Sequence, residues 1–156
     1  LYQAVKQPDV VAVGECGLDK LRGASMSLQQ EVFRACISLA EQMHLPLVVH
    51  AVKCTEELFR IHKELKPQMP WIIHGFRGRK EVAEQYLKRG FYLSFGEHFH
   101  DEALRSTPLE RLLLETDESR LSMEEICRKA ASVYGLPAEI LAARITSNAQ
   151  KVLFLQ

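Results

Sequence analysis

Long apolar runs, cysteine clusters and a surplus of charge are all missing from this chain, and each absence closes off a class of function. No apolar stretch approaches the ~18 residues of a membrane span, so no membrane association is expected. The four cysteines, Cys16, Cys36, Cys54 and Cys127, are widely spaced and include no Cys-x-x-Cys pair. That spacing argues against a zinc knuckle or a disulfide framework. It favours free thiols in a reducing compartment, so a cytoplasmic location is expected. No segment reads as a signal peptide. Twenty Lys and Arg balance twenty Asp and Glu. A protein that grips nucleic acid along a groove carries a basic surplus, so nucleic-acid contact here is expected to be local, at an active-site mouth. There is no low-complexity stretch and no flexible linker, and residues 1–156 read as a single globular domain. The chain opens on Leu1 rather than Met, from which an upstream portion is expected.

What is present is an alternation of short apolar runs with amphipathic ones, the rhythm of βα units. A first strand is expected over Asp9–Glu15, its consecutive apolar residues suiting a strand covered on both faces. Ser27 and Gln30 read as a capping box for the next helix, with Leu28, Val32, Cys36, Leu39, Ala40 and Met43 as its apolar stripe. Further strands are expected at Leu47–His50, Trp71–His74, Phe91–Phe95 and Arg111–Asp117. Thr55 is expected to cap a helix ending before Pro67, and Gly90 to close one running from Lys80 to Arg89. Ser122 with Glu125 forms another capping box, Gly135 ends that helix, and Pro137 opens one more. A last short helix is expected from Asn148 to Phe154. The sum is an α/β chain of five strands and about six helices.

Glu15, His50, His74 and Asp117 share one property: each falls at or just past the C-terminal end of an expected strand. In a parallel βα barrel those ends meet on one face, where active sites form. Glu and His are rare at the ends of such apolar strands. Neutral imidazoles and carboxylates suit zinc, manganese or magnesium, and a carboxylate can bridge two ions. Two ions ~3.5–4 Å apart stabilise the attacking and leaving oxygens of a phosphodiester. Glu15 is the natural bridge, and His50 and His74 are natural terminal ligands. Asp117 suits a ligand or the base that orients water.

The segments Val-Gly-Glu15-Cys-Gly-Leu-Asp19, Leu-Pro-Leu-Val-Val-His50, Ile-Ile-His74-Gly-Phe76, Gly-Phe-Tyr-Leu-Ser94-Phe and Leu-Leu-Leu-Glu-Thr-Asp117 occur in that order. Together they resemble the successive strand motifs of the TatD family of metal-dependent deoxyribonucleases, from about residue 8 to 155. The resemblance implies a TIM (β/α)8 barrel of the amidohydrolase kind, two divalent metal ions (Mg, Mn or Zn), and hydrolysis of DNA phosphodiesters. Glu15, His50 and His74 match the family's metal ligands, and Asp117 its catalytic, metal-contacting aspartate.

Departures from the family pattern shape the remaining expectations. The family's opening strand ends in a His-x-His metal pair, which nothing upstream of Val10 supplies. The expected fold is therefore a partial barrel lacking roughly the first three βα units. Its open edge would be apolar, a surface for self-association. Ala51-Val52 stands where the family often has Ser-Arg, a phosphate contact, and Arg77 is the substitute candidate for binding substrate. Asp19 is expected to orient the loop after Glu15, Trp71 and Phe76 to be core, and His44 and His62 to be surface residues. Glu97 and Glu118 are expected near the site mouth, and His98-x-His100 in a solvated loop. Two rival readings stand beside a DNA hydrolase: an amidohydrolase-like enzyme on a small molecule, and an inactive truncated barrel.

Overall fold

The computed structural model describes residues 3–154. Among the described residues there are five parallel strands and six α-helices, in two compact units that divide after Ile72.

The first unit contains β1 (Val13–Asp19), α1 (Met26–Met43), β2 (Leu47–Val52) and α2 (Thr55–Leu65), and ends within β3 (Trp71–Ile73). β1 and β2 pair in parallel, with Cys16 opposite Val49, Gly17 opposite His50 and Asp19 opposite Val52. The Leu47 N–H donates to Pro70 O just before β3, at 2.8 Å. Val13, Leu18, Leu47 and Val49 of the strands are buried, as are Phe33, Ile37 and Ala40 of α1 and Leu58 and Ile61 of α2. Trp71 meets the edge of Phe33 at 5.3 Å and of His62 at 5.1 Å, so Trp71 is core, while His62 is half-buried against it.

Three details of this unit differ from the sequence pattern. The apolar run Val10–Ala12 precedes β1, which begins at Val13 and continues to Asp19. Pairing with β2 extends the strand beyond Glu15, because Gly17, Leu18 and Asp19 find ladder partners there. The α1 N-cap is Ser25, whose hydroxyl accepts from Leu28 N, and Ser27 lies inside the helix. Its buried face is Phe33, Cys36, Ile37, Leu39 and Ala40, and Leu28 and Val32 are exposed. α2 starts at Thr55 with Cys54 as its N-cap and no side-chain cap, and stops at Leu65 before Pro67.

The second unit contains α3 (Lys80–Leu87), β4 (Tyr92–Phe95), α4 (Asp101–Ser106), β5 (Leu112–Leu114), α5 (Met123–Tyr134) and α6 (Ala138–Phe154). β4 and β5 are parallel, pairing Leu93 with Leu112 and Phe95 with Leu114. Both strands are buried throughout, as continuous apolar runs covered on both faces should be. An aromatic chain fills this core: Phe76 packs edge-on against Phe95 at 5.4 Å and Tyr86 at 5.9 Å, and Tyr86 against Phe91 at 5.4 Å.

α5 carries the expected Ser122–Glu125 capping box and ends on Gly135 at φ +67, a left-handed position where glycine avoids a Cβ clash. α3 stops at Leu87, earlier than expected, and the Gly90 N–H closes the turn onto Leu87 O at 2.9 Å. α4 is an additional helix, too short to show a period in sequence. The segment from Ala138 to Phe154 is one helix rather than two. Asn148 interrupts its apolar pattern because its amide is used elsewhere, donating to Leu109 O at 2.6 Å and Leu112 O at 2.8 Å.

Candidate metal centre

In the first unit, Glu15 is the third residue of β1 rather than its last. His50 is the fourth residue of β2, opposite Gly17. A Cβ on Gly17 would sit 2.0 Å from His50 O, so only glycine lets the two backbones approach at this register. His50 Nε2 lies 3.3 Å from Asp19 Oδ2. Asp19 is itself held from two sides. Its Oδ1 accepts from Leu21 N at 2.7 Å and Arg22 N at 3.0 Å. Its backbone N–H donates to Gln29 Oε1 at 2.7 Å. The Gln29 amide nitrogen returns hydrogen bonds to the carbonyls of Asp19, Arg22 and Ala24. Asp19 therefore orients the loop after β1, as its position suggested, and faces His50 as well. The Leu21 N–H is the main reason its carboxyl titrates below the usual range, with His50 contributing in the same direction. Cys16, next to Glu15, is shifted the opposite way, because burial and the nearby Cys36 disfavour a thiolate. All four cysteines are free.

In the second unit, His74 follows β3 directly and Asp117 stands three residues beyond β5. Asp117 takes a left-handed backbone conformation, φ +42. The structure brings these two together: His74 Nε2 is 3.7 Å from Asp117 Oδ2. That separation is too long for a hydrogen bond. Two ligand atoms ~2.1 Å from one cation lie ~3.4 Å apart at the tetrahedral angle and ~3.6 Å apart at 120°. The pair thus has the spacing of two ligands of one divalent ion. The other ring nitrogen, Nδ1, is 2.9 Å from Glu115 Oε1. Ser94 Oγ, at 6% exposure, donates to Glu115 Oε2. The backbone anchors both partners, since Phe76 N donates to Ser94 O at 2.8 Å and Glu115 N to Phe95 O at 3.1 Å.

Glu115 joins the site beside the four residues expected at the strand ends. The signal was there: Leu112, Leu113 and Leu114 are buried, and a carboxylate directly after them, two residues before Asp117, shares that residue's side of an extended chain.

Around this pair the second unit carries a polar rim. Glu97 accepts from Ser119 Oγ at 2.7 Å, pairs with His98 Nε2 at 2.9 Å, and offers its backbone oxygen to Lys129 Nζ at 2.7 Å. His98 is thereby a partner of Glu97, and His100 is the N-cap residue of α4; both are exposed. Arg77 and Glu118 are exposed, and Phe76 is core. No described helix is long and apolar enough to cross a membrane.

Comparison with known proteins gives the family. The family model of TatD related DNases matches residues 1–154. The uncharacterized metal-dependent hydrolase YabD of Bacillus subtilis is 40% identical over 117 residues, covering 69% of this chain and 46% of the relative. The 3′-5′ ssDNA/RNA exonuclease TatD of Citrobacter koseri is 33% identical over 148 residues, 86% of this chain and 56% of the relative. The chain therefore spans about half the length of these two relatives. The crystal structure of YJJV, a TATD homolog from Escherichia coli k12, matches with a TM-score of 0.87 at 24% identity, over 99% of this chain and 69% of that one. This likeness shows the fold, an α/β chain with five strands of a TIM barrel.

Proposed function

Since the chain belongs to the TatD-related DNase family, we propose that it is the metal-binding portion of a hydrolase that cleaves phosphodiester bonds in single-stranded nucleic acid, DNA foremost. The observation that carries this reading is the 3.7 Å gap between His74 Nε2 and Asp117 Oδ2, a spacing that fits a divalent cation. Glu15, His50, His74 and Asp117 are the proposed ligands of two such ions, Mg, Mn or Zn. A divalent ion at these groups supplies Lewis-acid polarisation of a phosphoryl oxygen and acidifies water.

The chain's own groups supply the rest. Asp117 turns Oδ2 toward His74, which leaves Oδ1 to accept the proton of the attacking water as a general base. Asp19 holds the His50 ring from its Nε2 side. Arg77, exposed in the segment after His74, offers a guanidinium to a substrate phosphate, whose geometry matches the planar fork. The balanced overall charge supports a contact limited to the scissile end of the strand. The similarity to the 3′-5′ ssDNA/RNA exonuclease TatD of Citrobacter koseri supports the same substrate class.

The test is a time course on 5′-labelled single-stranded DNA with Mn²⁺, beside RNA and a set of small amides and lactones. DNA shortening that stops on adding EDTA, and that Asp117→Asn slows by ~10²–10⁴-fold, is expected. Turnover of the small molecules with DNA untouched would transfer the chain to the amidohydrolase-like alternative. Calorimetry showing no Mn²⁺ binding would remove the metal chemistry altogether.

A further inference from the structure

Behind His74 stand a half-buried carboxylate, Glu115, and a buried hydroxyl, Ser94. His74 and Glu115 are 14% and 16% exposed in their side chains, and Ser94 is 6% exposed. The three form a line: Ser94 Oγ donates to Glu115 Oε2, and Glu115 Oε1 faces His74 Nδ1 at 2.9 Å. Glycines border the carboxylate, for a Cβ on Gly75 would lie 3.5 Å from Glu115 Oε1 and one on Gly96 would lie 3.9 Å from Glu115 Cγ. A carboxylate oxygen has no hydrogen to give, and its partner oxygen is already occupied by the Ser94 hydroxyl. The hydrogen of the Glu115–His74 contact must come from the imidazole.

We propose that Glu115, braced by Ser94, is a positioning residue that fixes His74 in its Nδ1–H tautomer and aims the Nε2 lone pair at the side where Asp117 Oδ2 lies. This deepens the metal-hydrolase reading, on which its functional meaning rests. A neutral imidazole left to itself in water favours the opposite tautomer, with the hydrogen on Nε2, which would block that nitrogen as a ligand. Outer partners of this kind orient a ligand histidine and raise its basicity, and losing one weakens metal binding ~10–100-fold. Glu115 touches neither substrate nor reacting atoms in this role; it acts through His74. The same geometry explains why Nε2 meets a second acceptor, Asp117, across 3.7 Å.

The experiment reads the tautomer and the affinity separately, on the whole 156-residue chain. Long-range ¹⁵N–¹H correlation spectra of the metal-free, histidine-labelled protein, with His74→Gln to assign the ring, report which nitrogen carries the hydrogen. The Nδ1–H form is expected in the wild type. Glu115→Ala is expected to shift His74 toward the Nε2–H form and weaken Mn²⁺ binding ~10–100-fold in calorimetry. Glu115→Gln, whose amide oxygen still accepts from Nδ1, is expected to keep the tautomer and recover most of the affinity. Ser94→Ala is expected to fall between them, and it carries the test if Glu115→Ala does not fold.

An Nε2–H tautomer in the wild type overturns the proposal. So does an Ala variant that melts earlier yet keeps tautomer and affinity, because Glu115 is then only structural. The expected tautomers without any Mn²⁺ binding would leave the positioning role standing and defeat the hydrolase reading instead.

Discussion

At the scale of single residues, the candidate site depends on groups that never touch a substrate. Gly17 is the sharpest case. Its neighbour across the ladder is His50, and the added methyl of Gly17→Ala would meet the His50 carbonyl oxygen at 2.0 Å and the carbonyl carbon at 2.9 Å. Backbone cannot turn aside as a flexible side chain can, so β1 and β2 must separate locally. The expected loss is about 3 kcal/mol or more, at the upper end of overpacking costs. Urea unfolding of the variant measures it, and a loss under ~0.5 kcal/mol, the range of ordinary surface substitutions, would show that the register seen here is not held. Gln29 illustrates the same dependence through polar groups. One amide joins Asp19, Arg22 and Ala24, and Asp19 in turn reaches His50. The sequence marks Asp19 by its place after Cys-Gly-Leu, but Gln29 reads there as one more polar residue of a helix. Its role depends on how the loop folds back, which no local pattern records.

At the scale of elements, the legible features were those decided locally and the illegible ones those decided by a neighbour. The Ser122–Glu125 box and the Gly135 end of α5 were readable, because a helix terminus is satisfied by residues within one turn. The three-leucine core of β5 and the Trp-Ile-Ile of β3 were readable as buried runs. The start of α1 was not. Ser25 and Ser27 both suit a cap, and the structure selects Ser25, with its extended backbone at φ −57 and ψ 147 and its hydroxyl 3.4 Å from Leu28 N. Which apolar stripe faces the sheet is decided by packing rather than by the cap: Phe33 and Ile37 turn inward beside Cys36 and Ala40, and Leu28 and Val32, one step round the helix, are 48% and 53% exposed. Ser25→Ala is expected to lower stability by ~0.5–1 kcal/mol, the lower part of the range for a lost cap. Ser27→Ala should leave it unchanged or raise it slightly, since alanine is the better interior helix residue. Chemical denaturation of the two variants side by side decides; the reverse order would put the cap at Ser27 after all. The strand positions of the site residues were shifted for a related reason. Glu15 lies inside β1 because pairing with β2 runs on to Asp19, whereas His74 and Asp117 lie past their strands, where the backbone turns.

At the scale of the whole molecule, charge balance sets the response to acid. Twenty basic and twenty acidic side chains cancel near neutrality, so protonating the carboxylates leaves an uncompensated positive chain that repels itself. Specific contacts act in the same direction. In the first unit, Lys20 at 2.6 Å is the main cause holding the Glu57 carboxyl below its ordinary value of 4.5, and Arg34 at 2.7 Å does the same for Glu64. In the second, the Ser122 backbone N–H of the capping box lowers Glu125. A carboxyl whose pKa is lower folded than unfolded binds fewer protons in the native state. Its stabilisation is complete above the unfolded value and is lost as pH falls through the folded one. The melting temperature should therefore be level above about pH 6 and decline once pH drops below ~4.5, the ordinary glutamate range. These groups lie near the surface, so added salt should weaken the pair-specific share of the decline. Glu64→Gln and Glu125→Gln should each make the acid limb shallower without altering the neutral plateau's shape. Calorimetric scans at half-unit pH steps test this. A melting temperature that rose on acidification would mean that groups with raised carboxyl pKa values, rather than these three lowered ones, govern the fold's charge economy.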